Sequence, residues 1–218
     1  MKKPFDLKAS YQPSSFKFKD KTQIDEIISR YPKGRQQSAV MPLLDLAQRQ
    51  VADEGKALSP PVGGWIPRAA MDEIAEILDI PEMRVYEAAS FYTMYNMAPV
   101  GKYLLQVCTT TPCWLCNSDS IMKAVRDVTG LSENYETTAD GYFTLLEVEC
   151  LGACANAPMV QINDHYYEDL TYERMVEILN DFKEDKIPPS GPQNGRRGSM
   201  AISGPTSLQE QAKAANIN

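Results

Sequence analysis

The sequence predicts an α+β protein in which an N-terminal helical domain of about four helices precedes a domain of β-α-β-β-α order. Apolar residues recur at helical spacing through the first half of the chain, and strand-like segments begin only after about residue 100. The predicted boundaries are an N-terminal extension at 1–19, the helical domain at 20–97, the βαββα domain at 98–186 and an extended tail at 187–218.

Four segments of the first half carry apolar residues at positions i, i+3, i+4 and i+7, the stripe of an amphipathic helix. The stripes are Ile24, Ile27, Ile28 and Tyr31; Val40, Leu43, Leu44 and Ala47; Met71, Ile74, Ala75 and Leu78; and Val85, Ala88, Ala89 and Tyr92. Ser38 is the predicted N-cap of the second helix, and Pro67 and Pro81 suit the first turns of the third and fourth. Residues 51–65, polar and then rich in Pro and Gly, are predicted to form a loop.

The second half has the pattern of a small sheet covered by helices. The predicted elements are a strand at 103–108, a helix carrying Ile121, Ala124, Val125 and Val128, a strand at 143–150, a hairpin of 159–162 and 165–168, and a helix carrying Met175, Ile178, Leu179 and Phe182. In the second strand, Leu146, Val148 and Cys150 alternate with two glutamates, which predicts a half-buried strand. A crossover helix between the first two strands describes a thioredoxin-like sheet. No periodicity follows Lys186, so this segment is expected to order only against a partner.

Composition excludes several functions. Lys plus Arg number 22 and Asp plus Glu 29, a net charge of −7 that argues against a nucleic-acid-binding protein. No apolar stretch approaches the roughly 18–20 residues of a membrane span. Residues 1–8 lack the apolar core of a secretory signal, so we expect a bacterial cytoplasmic protein or a processed organellar one.

The five cysteines all lie between Cys108 and Cys154, which indicates metal or redox chemistry in a reducing compartment. A 2Fe–2S or 4Fe–4S cluster would use Cys108, Cys113, Cys150 and Cys154, spaced as Cys-x4-Cys and Cys-x3-Cys. A structural zinc site would pair Cys113 and Cys116 with Cys150 and Cys154. A thiol–disulfide site would use Cys113 and Cys116 alone, as Cys-x2-Cys near a helix start. Spacing favours the iron–sulfur cluster and leaves the other two open, together with plain structural thiols.

Six segments carry a resemblance to one family. They are residues 31–34 (YPKG), 42–50 (PLLDLAQRQ), 85–95 (VYEAASFYTMY), 108–113 (CTTTPC), 147–159 (EVECLGACANAPM) and 166–171 (YYEDLT). The chain resembles, over about residues 20–210, the 24 kDa-type iron–sulfur subunit of proton-pumping NADH:quinone oxidoreductase, respiratory complex I. The resemblance implies a thioredoxin-like domain and one 2Fe–2S cluster, with Cys108, Cys113, Cys150 and Cys154 at the ligand positions.

The same resemblance implies the partners. They are the flavoprotein subunit that carries FMN and binds NADH, and the large iron–sulfur subunit of the peripheral arm. It implies a peripheral position on the matrix side of the mitochondrial inner membrane, or on the cytoplasmic face of a bacterial inner membrane. The chain departs from the family at Cys116, where a basic residue is usual, and in a longer segment between Gln50 and Gly63.

The chain by itself is not expected to oxidise NADH, because it has no G-x-G-x-x-G motif after a strand and no P-loop. His165, the only histidine, is predicted to be a surface turn residue. We predict that four tyrosines pack in the core or at an interface rather than relay electrons: Tyr92, Tyr95, Tyr166 and Tyr167.

Two alternative functions remain. One is a homologous diaphorase subunit of an NAD-linked hydrogenase or formate dehydrogenase, and the other is a zinc-stabilised adaptor without redox function.

Overall fold

Helices make up most of residues 20–97, as the apolar stripes predict. The computed structural model describes residues 3–204 and 207–215; parts of the predicted extension and tail, at 1–2, 205–206 and 216–218, lie outside the described residues. The α-helices are α1 (Lys21–Ser29), α2 (Val40–Gly55), α3 (Arg68–Leu78), α4 (Glu82–Phe91), α5 (Thr111–Leu115), α6 (Ser118–Thr129), α7 (Tyr172–Lys183) and α8 (Gln209–Ala214). The strands are β1 (Tyr103–Cys108), β2 (Phe143–Val148), β3 (Val160–Ile162), β4 (His165–Glu168) and β5 (Gly191–Pro192).

The chain divides into two compact units. The first comprises Met1–Tyr103 and Thr137–Thr144, and the second comprises Leu104–Glu136 and Leu145–Asn218. In the first unit, the apolar stripes of α1 to α4 meet in one core, in which Leu43, Leu44 and Ile74 are fully buried. Burial of these apolar faces, rather than helix propensity, supplies most of the stability of short helices.

Two predictions at the ends of α2 are wrong. Ser38 does not cap the helix, because the chain enters it through a 3-10 turn at Gln36–Ala39 and Ala39 occupies the N-cap position. The helix also continues to Gly55, so residues 51–55 are helical and only the remainder of the predicted loop is irregular. The chain returns across this helix end, where a Cβ on Gly55 would lie 2.0 Å from the carbonyl oxygen of Val62. Only glycine fits there.

The second unit contains the sheet, apart from the first residues of β1 and β2. The strand order is β2-β1-β3-β4-β5, with β1 between β2 and β3. β1 and β3 are antiparallel with Val107 opposite Val160, and β3 and β4 form the predicted antiparallel hairpin. Helices α5 and α6 connect β1 to β2, and α6 packs against α7. This is the predicted thioredoxin-like arrangement, and Cys108 is the last residue of an inner strand.

Strand β2 is shorter than predicted, ending at Val148 rather than Cys150. The predicted alternation holds for residues 146–149, where Glu147 and Glu149 are exposed and Leu146 and Val148 are half-buried, but Cys150 is exposed and Phe143, Thr144 and Leu145 are all buried. A strand covered on both sides loses the period-two pattern of a half-buried one. Residues 149–153, including Cys150, are thereby left to a loop.

Residues 187–193 pair and bond with other parts of this chain, although the segment after Lys186 was predicted to order only against a partner. β5 pairs in parallel with β4, with Tyr167 opposite Gly191. The hydroxyl of Tyr167 donates a hydrogen bond to the carbonyl oxygen of Pro188 at 3.1 Å, and Arg174 Nε donates one to Gln193 Oε1 at 2.9 Å. Backbone pairing and buried polar contacts order the segment where apolar periodicity is absent.

Candidate iron–sulfur site

The first pair of cysteines lies where β1 runs into α5. Cys108 is the last residue of the strand, and Cys113 lies in the short helix α5, which starts at Thr111. Both thiols are buried, with residue exposures of 2% and 1%. Pro112, in the first turn of α5, favours a helix start at this point because its fixed φ suits that turn. The strand-to-helix turn thus brings the two sulfurs to the same inner wall of the site.

The second pair lies on the loop after β2. Cys150 and Cys154 are exposed, and their sulfurs are 3.4 Å apart. Gly152 has a φ of +84°, a conformation that side-chain-bearing residues rarely adopt. Its backbone N–H donates to Cys150 Sγ at 3.4 Å. A glycine between the two cysteines therefore lets the loop turn tightly enough to aim both sulfurs at one place.

The electrostatics of the thiols connect the two pairs. Burial, and then the hydrogen bond with Cys108, raises the pKa of Cys113 to about 12, and the charge of Cys154 adds to that increase. The hydrogen bond with Cys150 raises the pKa of Cys154, with smaller contributions from burial and from the charges of Cys150 and Cys108. Each pair therefore lies within electrostatic range of the other, and a positively charged centre would favour deprotonation of all four thiols.

The remaining thiol of each pair, Cys108 or Cys150, has a lowered pKa. Burial by itself would raise the pKa of Cys108, but hydrogen bonds from the side chain and backbone of Thr110, and then from Cys113 and the backbone of Leu151, lower it overall. For Cys150 the backbone N–H of Gly152 is the largest cause of the lowering of the pKa. Hydrogen bonds to the anionic form favour that form. In each pair, therefore, one thiol has a lowered pKa, which favours the thiolate form that ligation requires.

Apolar residues line the inner pair. Cys108, Cys113 and Met159 form one buried cluster, against which Leu151, Ala153, Ala157 and Tyr166 pack. The hydroxyl of Tyr166 donates to the carbonyl oxygen of Leu151 at 2.9 Å, which fixes the middle of the second loop. This wall excludes water from one side of the site, while Cys150 and Cys154 remain on the accessible side. The arrangement suits a redox centre that is shielded but reachable.

Cys116 lies apart from this group. It is exposed, one residue beyond the end of α5, whereas Cys113 is buried and interacts with Cys108. The thiol–disulfide interpretation paired Cys113 with Cys116, and the structure pairs Cys113 with Cys108 instead. Among the described residues, no three His, Cys, Asp or Glu side chains surround a single ion position. The four thiols instead form two pairs.

Some contacts of the site had no signal in the sequence. Glu147 is exposed, as the alternating pattern predicts, and it also accepts a hydrogen bond from the Thr109 hydroxyl at 2.6 Å. Tyr166, expected to pack in the core, also donates to the Leu151 carbonyl. Side chains of the C-terminal segment reach the end of the second loop. Each contact joins segments far apart in sequence, and single residues without periodicity do not reveal such pairings.

A family model described as "Thioredoxin-like [2Fe-2S] ferredoxin" matches residues 24–183. The chain belongs to the thioredoxin-like [2Fe-2S] ferredoxin family. Two pairs of thiols, one buried and one accessible, fit the cysteine ligation that a 2Fe–2S cluster requires. The chain, as a member of this family, holds one such cluster.

This ferredoxin-family chain shares about half of its aligned residues with curated relatives. It is 50% identical over 171 residues to an NADH-quinone oxidoreductase subunit of Rickettsia bellii, covering 78% of this chain and 95% of the relative. It is 45% identical over 200 residues to the mitochondrial NADH dehydrogenase [ubiquinone] flavoprotein 2 of Dictyostelium discoideum, covering 92% of this chain and 76% of the relative.

The fold also resembles a solved structure of an NAD+-reducing [NiFe]-hydrogenase in the air-oxidized state. That match has a TM-score of 0.50 and 16% identity, and covers 65% of this chain but 23% of the hydrogenase chain. At this identity the likeness concerns the fold alone.

Proposed function

We propose that this protein is the electron-transfer subunit of a proton-pumping NADH:quinone oxidoreductase of the complex I type. The proposal is supported by two cysteine pairs that lie within electrostatic range of each other, in a chain 50% identical to a bacterial NADH-quinone oxidoreductase subunit. The protein is then part of an enzyme rather than an enzyme by itself. NADH oxidation takes place in another subunit.

The proposed cluster ligands are Cys108, Cys113, Cys150 and Cys154. Bound there, a 2Fe–2S cluster would accept and return one electron at a time. The buried pair, Cys108 and Cys113, would hold its inner side and exclude water, since both residues are almost fully buried. The exposed pair would leave its outer side near the surface. Ligation by four thiolates, without histidine, favours a low reduction potential, nearer to that of plant-type ferredoxins than to that of Rieske centres.

The division of labour follows from electron counting. NADH delivers two electrons together as a hydride, whereas this chain offers a site for one. A flavin able to divide the pair must therefore belong to another chain, and the proposed partner is the flavoprotein subunit that carries FMN and binds NADH. Trp114 and Leu115, 58% and 72% exposed beside Cys113, support contact with a protein partner at this side of the site. The large iron–sulfur subunit of the peripheral arm is the second proposed partner.

Within residues 3–204 and 207–215, no helix is both long and apolar enough to cross a bilayer. We propose a peripheral location, on the matrix side of the mitochondrial inner membrane or on the cytoplasmic face of a bacterial inner membrane. Both kinds of relative are represented, since one is a bacterial protein and another is named mitochondrial. The assembly of the hydrogenase type is the weaker alternative, because its likeness to this chain is at 16% identity.

Reconstitution with the flavoprotein tests the proposal. The purified chain should contain about two irons and two sulfides, be red-brown, and be reduced by dithionite but not by NADH. Addition of the FMN-containing subunit should allow NADH in large excess over NAD+ to reduce the cluster, provided that the cluster potential lies within reach of NADH; EPR of the reduced cluster measures the extent. A colourless zinc protein would support the adaptor instead. NADH-dependent ferricyanide reduction by the chain alone would overturn the proposal, and copurification with hydrogenase subunits would favour the alternative assembly.

A further inference from the structure

The C-terminal segment forms a hydrogen bond to the backbone at the end of the loop that carries Cys150 and Cys154. Arg196 Nη2 donates a hydrogen bond to the backbone carbonyl oxygen of Ala155 at 2.8 Å, one residue after Cys154. The two residues are 41 positions apart in the chain. This contact therefore joins the C-terminal segment directly to the ligand loop.

The guanidinium of Arg196 is itself held in place. Its Nε donates to Asp169 Oδ2 at 2.7 Å, and its Nη2 donates to Asp169 Oδ1, a bidentate ion pair. The side chains of the pair are only 14% and 8% exposed. A bidentate pair shielded from water fixes the plane and position of a guanidinium far better than a surface pair does.

Asp169 is in turn tied to the same loop through its backbone. Its N–H donates to the carbonyl oxygen of Asn156 at 2.8 Å, and its φ of +52° places it in the left-handed region. Asn156 is 4% exposed, and its Nδ2 donates to Glu168 Oε2 at 2.6 Å and to the Gly198 carbonyl oxygen at 3.0 Å. Two consecutive residues after Cys154 are thus bonded both to the chain around Asp169 and to the C-terminal segment.

We propose that Arg196 is a positioning residue for the cluster: it fastens the backbone immediately after Cys154 and so holds the outer ligand pair in the geometry that keeps the cluster bound. The proposal rests on the proposed assignment of Cys150 and Cys154 as ligands. Its physical basis is that Cys150 and Cys154 are exposed and so lack the burial that holds the inner pair, while the loop between them is packed only through Leu151 and Ala153. Outer contacts of this kind orient metal ligands and commonly affect metal affinity about 10- to 100-fold.

The chain provides a matched control. Arg197, the next residue, is exposed, and no hydrogen bond or ion pair of its side chain is found among the described residues. R196Q and R197Q therefore remove the same charge one position apart, but only the first removes the contact with Ala155. The full 218-residue protein with its cluster is used, and two quantities are measured: the rate of cluster loss to an iron chelator, and the EPR spectrum of the reduced cluster.

We expect R196Q to lose its cluster about 10-fold faster than the wild type, with an altered EPR spectrum, while R197Q matches the wild type in both. Because R196Q leaves the Asp169 carboxylate buried without its cation, the double variant D169N/R196Q is measured as well. It should show the same faster loss and the same spectral change. R196K, which keeps the charge but not the planar fork, should restore the wild-type values only in part.

The outcomes separate this inference from the ligand assignment. Equal cluster loss and equal spectra for D169N/R196Q, R197Q and the wild type would overturn the role of Arg196 while leaving the four ligands standing. Retention of the cluster in Cys154→Ala would overturn the ligand assignment, and the inference with it. The EPR spectrum decides against a purely structural role, because a general loss of stability lowers the amount of cluster without changing the signal of what remains.

Discussion

The hydroxyl oxygen of Thr110 lies 3.4 Å from the sulfur of Cys108. The same side chain also contributes to lowering the pKa of Cys150, a thiol of the other pair. One hydroxyl thus serves both loops of the candidate site. Once the thiols are ligands, their sulfurs can only accept from this group, so Thr110 becomes a donor to the cluster environment.

Thr110→Val should lower the reduction potential of the cluster. A hydrogen bond to a ligand sulfur stabilises the more negative, reduced state, and its loss should cost about 20–60 mV, equivalent to roughly 0.5–1.5 kcal/mol for one electron. Thr110→Ser keeps the hydroxyl and should stay near the wild type. Thr111→Val, at an exposed position next to it, is the control. A redox titration followed by EPR measures all three; an unchanged potential in Thr110→Val would contradict the prediction.

Cys113→Ala and Cys116→Ala should behave oppositely. Cys113 is buried beside Cys108, and its removal leaves one iron without its fourth ligand, so the iron content should fall from about two per chain to near zero. Cys116 is exposed and outside the group, so its variant should keep the cluster. Iron and sulfide analysis, with EPR, distinguishes them. Loss of the cluster in Cys116→Ala would revive the zinc and thiol–disulfide interpretations.

Asp20→Ala should destabilise α1. Asp20 Oδ1 accepts hydrogen bonds from the backbone N–H groups of Thr22 at 2.8 Å and Gln23 at 3.4 Å, which caps the helix. Loss of such a cap costs about 1 kcal/mol. Hydrogen exchange of the α1 amides should therefore become about fivefold faster. Asp25→Ala, on the exposed face of the same helix, should leave the exchange rates nearly unchanged.

The first unit should lose stability in alkaline solution because of Tyr95. Burial, and then the charge of Asp45, raises the pKa of this phenol to about 12, and its hydroxyl donates to the Met41 carbonyl oxygen at 2.9 Å. Since the folded-state pKa lies above the unfolded value of about 10, the contribution is complete below about pH 10 and disappears as the pH rises towards about 12.

Tyr95→Phe should thus be about 1 kcal/mol less stable than the wild type near pH 8, but about equal to it near pH 11. Urea unfolding at the two pH values provides the measurement. Tyr11→Phe, which removes a phenol that is 42% exposed, is the control for losing one tyrosine. If the free energy of unfolding of Tyr95→Phe differed from that of the wild type by the same amount at both pH values, the raised pKa of Tyr95 would be contradicted.

The amino-acid sequence by itself determined the four N-terminal helices, strand β1, the hairpin of β3 and β4, and helices α6 and α7. Each has a local signal, because apolar periodicity or a turn dipeptide lies within one element. The cysteine spacing likewise favoured an iron–sulfur cluster over a zinc or thiol–disulfide site. Phe143 and Leu145 belong to a strand that was correctly located, yet their burial with Thr144 was missed because packing on both faces leaves no alternation to read.

Only the tertiary structure decided how the site is built. It buried Cys113 beside Cys108 and left Cys116 exposed, although Cys113 and Cys116 have the spacing of a Cys-x2-Cys motif. It also ordered residues 187–198, in which Arg196 forms a shielded ion pair with Asp169 and donates a hydrogen bond to the Ala155 carbonyl oxygen. These are contacts between single residues far apart in the chain. Their free energy comes from desolvated hydrogen bonds formed after the elements have packed, so no local pattern in the sequence records them.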